Sequence, residues 1–340
     1  METHPAGHGK AVAPSAERWS WKPLGFWLFG LLALIAVILV VLRIGELERF
    51  AELAQEADPR WLGLALVLQG LTYVCASSVW YAALARAGAP RSLRSLVPLG
   101  IAKLFTDQAL PSGGISGTLL VIRGLARRGV PADLAMGALL VGLVSFYTAY
   151  GLAALGGLFA LQLQDAVGPA VIAVAALFTV FVVGVPVVVL SLRLLHNGSW
   201  LHRLSRTWGA SGLLDSVAAA PSDLLRDPAL MAKTTALQLA IFLLDGATLG
   251  VMLHALGQPV SPIFVFGSFI VADVVATIGP IPLGLGVFEG TAVAMLNMTG
   301  ISIEAALAAT LLLRGFTFWL PMLPGLWLAH RELGNTPGRA

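Results

Sequence analysis

The sequence has little charge. Of its 340 residues, only 11% are Asp, Glu, Lys or Arg, while 57% are hydrophobic. A soluble globular domain carries about 25% charged residues, so this chain cannot cover a globular surface with charge. The mean hydropathy of +0.85 agrees with this. The composition excludes a soluble enzyme and predicts a polytopic membrane protein, long enough for about six to eight spans of about 20 residues each.

Cysteine is also scarce, since Cys75 is the only one and lies in an apolar run. A single cysteine excludes an internal disulfide, a cysteine-rich metal site and an iron–sulfur cluster. There is no metal-ligand spacing of His and Cys and no serine nucleophile motif, so we expect no catalytic residue, metal or cofactor. Basic residues outnumber acidic ones by 21 to 18. In a membrane protein this excess indicates basic cytoplasmic loops, not binding of nucleic acid.

What the sequence does contain is a series of apolar segments. They predict an all-α fold with about six full spans, at about 24–42, 61–84, 133–161, 167–192, 230–255 and 303–329. The first resembles the apolar core of a signal peptide, but no small-residue cleavage site follows it, so we expect a retained span. The distribution of Lys and Arg places both termini in the cytoplasm of a multi-pass protein of the cell membrane. We expect three parts: a tail at 1–22, a single transmembrane domain at 23–332 and a tail at 333–340.

Two further apolar segments are too short to cross the membrane twice and are broken by Pro and Gly. They indicate re-entrant hairpins, because backbone can turn inside a membrane only where protein surrounds it. Glycine permits the positive φ angles that such turns need, and the amides left free there can face an anion. The turn residues are Pro111, Gly113 and Gly114 in the first hairpin and Pro282, Gly284 and Gly286 in the second.

The two halves of the chain match each other. The Pro-x-Gly motif at 111–113 recurs at 282–284, with an offset of 171 residues. A span–hairpin–span unit therefore occurs twice, at about 61–162 and 230–330, and the basic loops place the two copies in opposite orientations. Inverted repeats with broken segments at matching positions point to a transporter-like site near the middle of the membrane. The intervening polar loop, 193–229, contains a basic amphipathic stretch that we expect on the inner leaflet.

Seven ionisable residues interrupt the apolar segments and are our candidate substrate-binding residues. Such a residue costs at least about 2.5–3.5 kcal/mol at mid-membrane, so it is usually paired and functional. The seven are Lys103, Asp107, Arg123, Asp245, Asp273, Glu289 and Arg314.

More than one interpretation stays open for each of these residues. Glu289 is a helix N-terminal carboxylate, a partner of Arg314 or a proton carrier. Arg314 lies near the middle of its span, where it either binds a lipid phosphate through its guanidinium or pairs with a buried carboxylate, Glu289, Asp273 or Asp245. The aspartates either bind a cationic head group or relay protons, or they make interhelical hydrogen bonds. Lys103 and Arg123 either contact substrate or anchor the first hairpin at the cytoplasmic side.

Two blocks of the sequence resemble a known family. Residues 282–289, Pro-Leu-Gly-Leu-Gly-Val-Phe-Glu, together with 311–321 around Arg314, resemble the C-terminal signature of the lysylphosphatidylglycerol synthase transmembrane domain. Residues 110–114 and 127–131 are similar to the family's other block, although Ser112 stands where many relatives carry a charged residue. The resemblance spans about 20–330.

The resemblance implies a lipid-translocating module, like the stand-alone relatives called flippase-like membrane proteins. Full-length synthases add a cytosolic aminoacyl transferase domain, for which a chain ending at Ala340 has no room, so we expect no enzyme activity. The expected function is flippase-like or scramblase-like handling of an anionic or aminoacylated phospholipid or a polyprenyl-phosphate lipid. The alternatives are a membrane partner of a separate lipid-modifying or glycosyl-transfer enzyme and a small-solute secondary transporter. Membrane lipids are the expected partners, and the oligomeric state is left open.

Overall fold

The computed structural model describes residues 52, 55, 57–109, 114–163, 168–194, 221–258, 261–279, 281 and 284–334. All of these lie in the second of the two units into which the chain divides, residues 49–340. Several predicted features fall outside the described residues. These are the first span, the N-terminal tail, all but the first two residues of the C-terminal tail, most of the loop at 193–229, and the turn residues Pro111, Gly113 and Pro282.

The regular elements among the described residues are helical, as the sequence predicts. A π-helical turn at Gly315–Trp319 joins the last two helices, Ile303–Arg314 and Leu320–Gly334, into one continuous stretch. In chain order the helices are α1 (Pro59–Arg86), α2 (Leu93–Ala109), α3 (Ile115–Arg127), α4 (Ala132–Gln162), α5 (Pro169–Leu194), α6 (Ser222–Arg226), α7 (Pro228–Ala255), α8 (Pro262–Ile278), α9 (Val287–Asn297), α10 (Ile303–Arg314) and α11 (Leu320–Gly334).

Four of these stretches are long and apolar enough to cross a membrane: α1, α4, α7 and the stretch Ile303–Glu332. They coincide with the second, third, fifth and sixth predicted spans. Helix α5 has 26 residues and coincides with the fourth, but its apolar part is the shorter segment Ile172–Val188. The fold is therefore that of a helical membrane protein.

Side-chain caps fix where three of the long helices begin. Asp58 accepts a hydrogen bond from the Arg60 amide at the start of α1, and Asp227 accepts bonds from the first amides of α7. Ser302 accepts the amide of Ala305 at the start of α10. Each cap satisfies a backbone N–H that the helix itself leaves without a partner. The matching carboxylates Asp133 and Glu304 lie in the first turns of α4 and α10, where they complement the helix dipole.

The four helices of the predicted hairpins are short. Helices α2 and α8 have 17 residues each, α3 has 13 and α9 has 11. At 1.5 Å per residue, they are shorter than the roughly 30 Å apolar core of a bilayer. Helix α2 packs against α3, and α8 packs against α9.

Glycines with positive φ mark the breaks in these segments. Gly114 has φ +86°, and Gly284 and Gly286 have φ +63° and +77°, a conformation that other residues adopt only at a cost. Helix α3 continues to Arg127, past the apolar run that Arg123 interrupts. The next left-handed residue is Gly129, φ +71°, and it ends this helix in the usual C-terminal manner.

Several helix contacts join the two halves of the chain, among them α1 on α7, α2 on α11, and α4 on both α7 and α8. Two of them depend on small residues. A Cβ atom on Gly325 would lie 2.6 Å from Cβ of Phe105 on α2, and one on Gly157 would lie 2.9 Å from Ile270 on α8. These glycines allow the helix backbones to approach closely, as in other membrane helix pairs.

Ion pairs join the helix ends at the predicted cytoplasmic face. Arg86 Nε, at the end of α1, contacts Asp227 Oδ2 at the start of α7 at 2.5 Å. Arg128 donates to both carboxylate oxygens of Glu332 on α11, at 2.6 and 3.0 Å. The amide of Leu230 and the Arg86 guanidinium hold the pKa of Asp227 below its ordinary value.

We expect Asp227→Ala to lower the melting temperature at neutral pH, because both the helix cap and the ion pair are lost. A lowered pKa stabilises the fold above the ordinary carboxyl pKa, and this contribution disappears as the pH falls through the lowered value. The difference from the unmodified protein should therefore shrink in strong acid. Thermal unfolding in detergent across this pH range measures it, with the exposed Asp223→Ala as control. An equal difference at every pH would contradict the assignment.

Candidate functional site

Arg314 and Glu289 form a nearly buried ion pair. Arg314 Nε donates a hydrogen bond to Glu289 Oε1 at 2.6 Å, and the two side chains are 17% and 8% exposed. The guanidinium also lies over the Phe288 ring, with Cζ 4.5 Å from the ring centroid, in cation–π geometry. Of the two sequence interpretations of Arg314, the structure contains the pair with a buried carboxylate.

The backbone around this pair is unusual on both sides. Arg314 ends α10 and leads directly into the π-helical turn, a feature that often marks functional sites. Glu289 lies in the first turn of α9, where its Oε2 accepts the amide of Gly286 at 2.6 Å. The preceding Gly284 has no room for a side chain, because a Cβ would lie 2.6 Å from that of Ala276 on α8. The pair therefore joins α10 to the turn between α8 and α9.

A cavity of about 290 Å³ lies between α4, α5, α7 and α8. The rings of Tyr150 and Phe242 stack at its wall, with centroids 4.8 Å apart. Among the described residues its lining contains carboxyl, hydroxyl, amide and aromatic groups but no lysine or arginine. The lining consists of Phe146, Tyr147, Tyr150, Phe181, Gln238, Ile241, Phe242, Asp245, Phe269, Asp273 and Thr277.

Asp245 reaches this cavity from α7 and is held by α1. Its Oδ1 accepts a hydrogen bond from Gln69 Nε2 at 2.8 Å, and the same buried amide donates to Thr248 Oγ1 at 3.0 Å. Gln69 thus fixes the orientation of Asp245 by an interhelical hydrogen bond. This is one of the two interpretations that the sequence leaves open for the aspartates.

Asp273 lies between the cavity and the ion pair. It lines the cavity from α8, and both the Tyr150 hydroxyl and the Arg314 guanidinium act on its carboxylate electrostatically. The Tyr150 hydroxyl is 2.9 Å from Thr277 Oγ1, one turn further along α8. Asp245 and Asp273 therefore both line the cavity, and the positive charge of Arg314 acts on the second of them.

The other three candidates lie on α2 and α3 and do not line the cavity. Lys103 Nζ contacts Asp107 Oδ2 at 2.5 Å, while Asp107 Oδ1 accepts the amide of Gly117 at 3.0 Å. A Cβ on Gly117 would lie 2.2 Å from that oxygen, so the contact requires glycine. Asp107 thus joins α2 to α3, as Glu289 holds the start of α9. Arg123 is exposed on α3 and has no ion-pair partner in the described part of the chain.

Sequence reasoning missed five polar residues of this region: Gln69, Tyr147, Tyr150, Gln238 and Thr277. A helical-face pattern would have found most of them. On α7, positions 238, 241, 242 and 245 share one face, and on α8 positions 269, 273 and 277 do so. Positions 146, 147 and 150 on α4 follow the same rule. Asp245 and Asp273 therefore belong to polar and aromatic faces of α7 and α8, and these faces meet at the cavity.

We expect Glu289→Gln to destabilise the protein strongly, by about 3–5 kcal/mol, because it leaves a buried guanidinium without its countercharge. Chemical unfolding in mixed micelles measures this effect. Glu304→Gln, an exposed carboxylate on the adjoining helix, is the matched control and should change stability by no more than about 0.5 kcal/mol. Equal stability of the two variants would show that the ion pair does not hold the site together.

A comparison with known protein families identifies the chain. Residues 27–325 match the family model described as the lysylphosphatidylglycerol synthase TM region. The match includes all seven candidate residues and both Pro/Gly-broken segments. No curated protein matches the chain. The resemblance carried by residues 282–289 and 311–321 is thus confirmed, and the chain belongs to the family of the lysylphosphatidylglycerol synthase transmembrane region.

Proposed function

We propose that this protein moves a lipid with a charged head group across the cell membrane, as a flippase or scramblase, without altering the lipid chemically. The observation that carries this proposal is the cavity with Asp245 and Asp273 in its wall. Ionisable side chains inside membrane segments are expensive and typically mark substrate or ion pathways. Membership of the family supports the proposal but does not name the cargo.

The depth of the cavity supports a translocation site. Its lining residues at 238–245 lie near the middle of the 28-residue α7, and those at 146–150 lie near the middle of the 31-residue α4. Phe181 is halfway along α5. If these helices span the bilayer, the cavity lies at the midplane, where a transporter must hold a head group that has left one interface and not reached the other.

The arrangement of the two halves also supports the proposal. The helix lengths 28, 17, 13 and 31 of α1–α4 recur as 28, 17, 11 and about 30 in α7–α11. The contacts between the halves also correspond. Helix α2 of the first half packs on α11, the last helix of the second half, and α8 of the second half packs on α4, the last helix of the first. We infer inverted repeats with two re-entrant hairpins, whose rocking would open the cavity to each side in turn.

The orientation follows from the basic residues. Arg86, Arg127 and Arg128 lie at the end of the helix bundle where α1 and α3 finish and α7 begins. Cytoplasmic loops carry the excess of Lys and Arg, so this end faces the cytoplasm in our proposal. The chain would then insert the α2–α3 hairpin from the cytoplasm and the α8–α9 hairpin from outside.

The lining favours a cationic head group over an anionic one. Carboxylates and aromatic faces attract ammonium groups, and the described lining has no basic side chain to hold a phosphate. Arg314, the residue best suited to phosphate, already contacts Glu289. Among the expected cargoes, an aminoacylated phospholipid therefore fits better than an unmodified anionic lipid or a polyprenyl phosphate.

Reconstitution into liposomes tests this function. Vesicles containing lysyl-phosphatidylglycerol are treated with an impermeant amine-reactive reagent, which labels only lipid in the outer leaflet. We expect the protein to expose the inner pool to the reagent. Asp273→Asn should slow this exposure about tenfold to a hundredfold, since it removes one charge-assisted contact worth about 1.5–3 kcal/mol.

Asp133→Asn, an exposed carboxylate at the start of α4, is the matched control and should behave like the unmodified protein. Exposure at the rate of empty liposomes would overturn lipid translocation and favour a role as partner of a lipid-modifying or glycosyl-transfer enzyme. Gradient-driven uptake of a soluble amine without lipid movement would favour a small-solute transporter on the same cavity.

A further inference from the structure

The carboxylates around the cavity outnumber the basic side chains that could neutralise their charge. Asp245, Asp273 and Glu289 are three potential negative charges, and Arg314 is the one basic residue that contacts or acts on any of them among the described residues. By contrast, Asp107 on α2 has its own cation, because Lys103 contacts it directly. If every group were ionised, the region between the cavity and α9 would hold two uncompensated negative charges. Burial of unpaired charge at mid-membrane is strongly unfavourable.

Among the described residues, no cation contacts or acts on Asp245, so at least one charge of this deficit falls on it. Glu289 has the guanidinium at 2.6 Å, and Asp273 lies within reach of the same positive charge. The groups that face Asp245 are uncharged or acidic: Gln69 and Tyr73 from α1, and Asp273 from α8. On its own helix the neighbouring polar group is Thr248, which shares the Gln69 amide. From α4 the nearest polar groups of the cavity wall are the neutral hydroxyls of Tyr147 and Tyr150.

Two like charges that face one low-dielectric cavity cannot both stay ionised without a counterion. Either a proton or a bound cation must supply the missing positive charge. The Gln69 amide is compatible with both conditions, because its N–H donates to Asp245 Oδ1 whether the other oxygen is ionised or protonated. The carboxyl group therefore keeps its position while its charge changes.

We infer that the cavity is a proton-exchange site, in which Asp245 carries a proton while the cavity is empty and releases it when a positively charged group enters. In this step the O–H bond of the Asp245 carboxyl breaks, the proton passes to water, and the carboxylate pairs with the incoming ammonium. No oxidant, reductant or other reactant is required. The inference rests on the proposed function for the identity of the cargo. It adds the energy source that would drive the lipid in one direction.

Such exchange makes translocation electrically neutral at the site. When the cation leaves the site on one side of the membrane, Asp245 takes up a proton from that side. When a cation enters from the other side, Asp245 releases its proton there. A proton gradient would then drive an aminated lipid toward the more acidic side.

Proton release in detergent tests the exchange without any lipid movement. The full chain, in a weakly buffered solution with a pH indicator, is titrated with hexylammonium chloride, and hexanol serves as the uncharged probe of the same length. We expect about one proton released per hexylammonium bound and none with hexanol. Infrared difference spectra should show the loss of a protonated-carboxyl band at the same time.

Asp245→Asn should lose both the proton release and the infrared band, while Asp133→Asn should keep them. If Asp245→Asn does not fold, Asp245→Glu keeps a titratable group at the site and should retain the release. Absence of hexylammonium binding, binding without release, or release unchanged in Asp245→Asn would overturn the inference.

The two proposals fail in different ways. Proton release in detergent together with no lipid movement in vesicles would overturn lipid translocation and leave proton exchange in place. If an imposed pH gradient changes neither the direction nor the rate of lipid movement, proton exchange is overturned and translocation stays in place.

Discussion

The structure depends on one constraint, which is that a charge inside an apolar helix bundle must have a partner. Arg314 and Glu289 meet this constraint with an ion pair at 2.6 Å, a ring beneath the guanidinium and a backbone amide on the carboxylate. The pair lies between the glycine turn before α9 and the π-helical turn after α10. Arg314 therefore joins α10 to the turn between α8 and α9, and this role limits how far it can also bind cargo.

Because Arg314 is paired with Glu289, the charged groups of the cavity wall are carboxylates. Asp245 and Asp273 face a space walled by aromatic rings, and the described residues contribute no basic side chain to its lining. The buried Gln69 holds one of these carboxylates from another helix. A site with this composition suits a positively charged group near the middle of the helices, which is why we favour an aminated head group over a bare phosphate.

Much of the fold could be predicted from the sequence, because long apolar runs and their Pro/Gly breaks decide where membrane helices begin and end. The predicted spans at 61–84 and 230–255 and the short segments beside them match the observed helices closely. The side-chain partners of the buried charges could not be predicted in the same way. Whether Arg314 meets Glu289, Asp273 or Asp245 depends on helix packing between residues far apart in the chain, and the polar stripes that form the cavity are visible only when helical faces are compared.

The central claim is that the cavity carboxylates, and not the Arg314–Glu289 pair, receive the head group. Native mass spectrometry of the protein released from its own membranes tests this directly. The account predicts an adduct with the mass of an amine-bearing lipid that is lost in the double variant Asp245→Asn/Asp273→Asn. An anionic lipid retained equally by the unmodified protein and by this variant would contradict it.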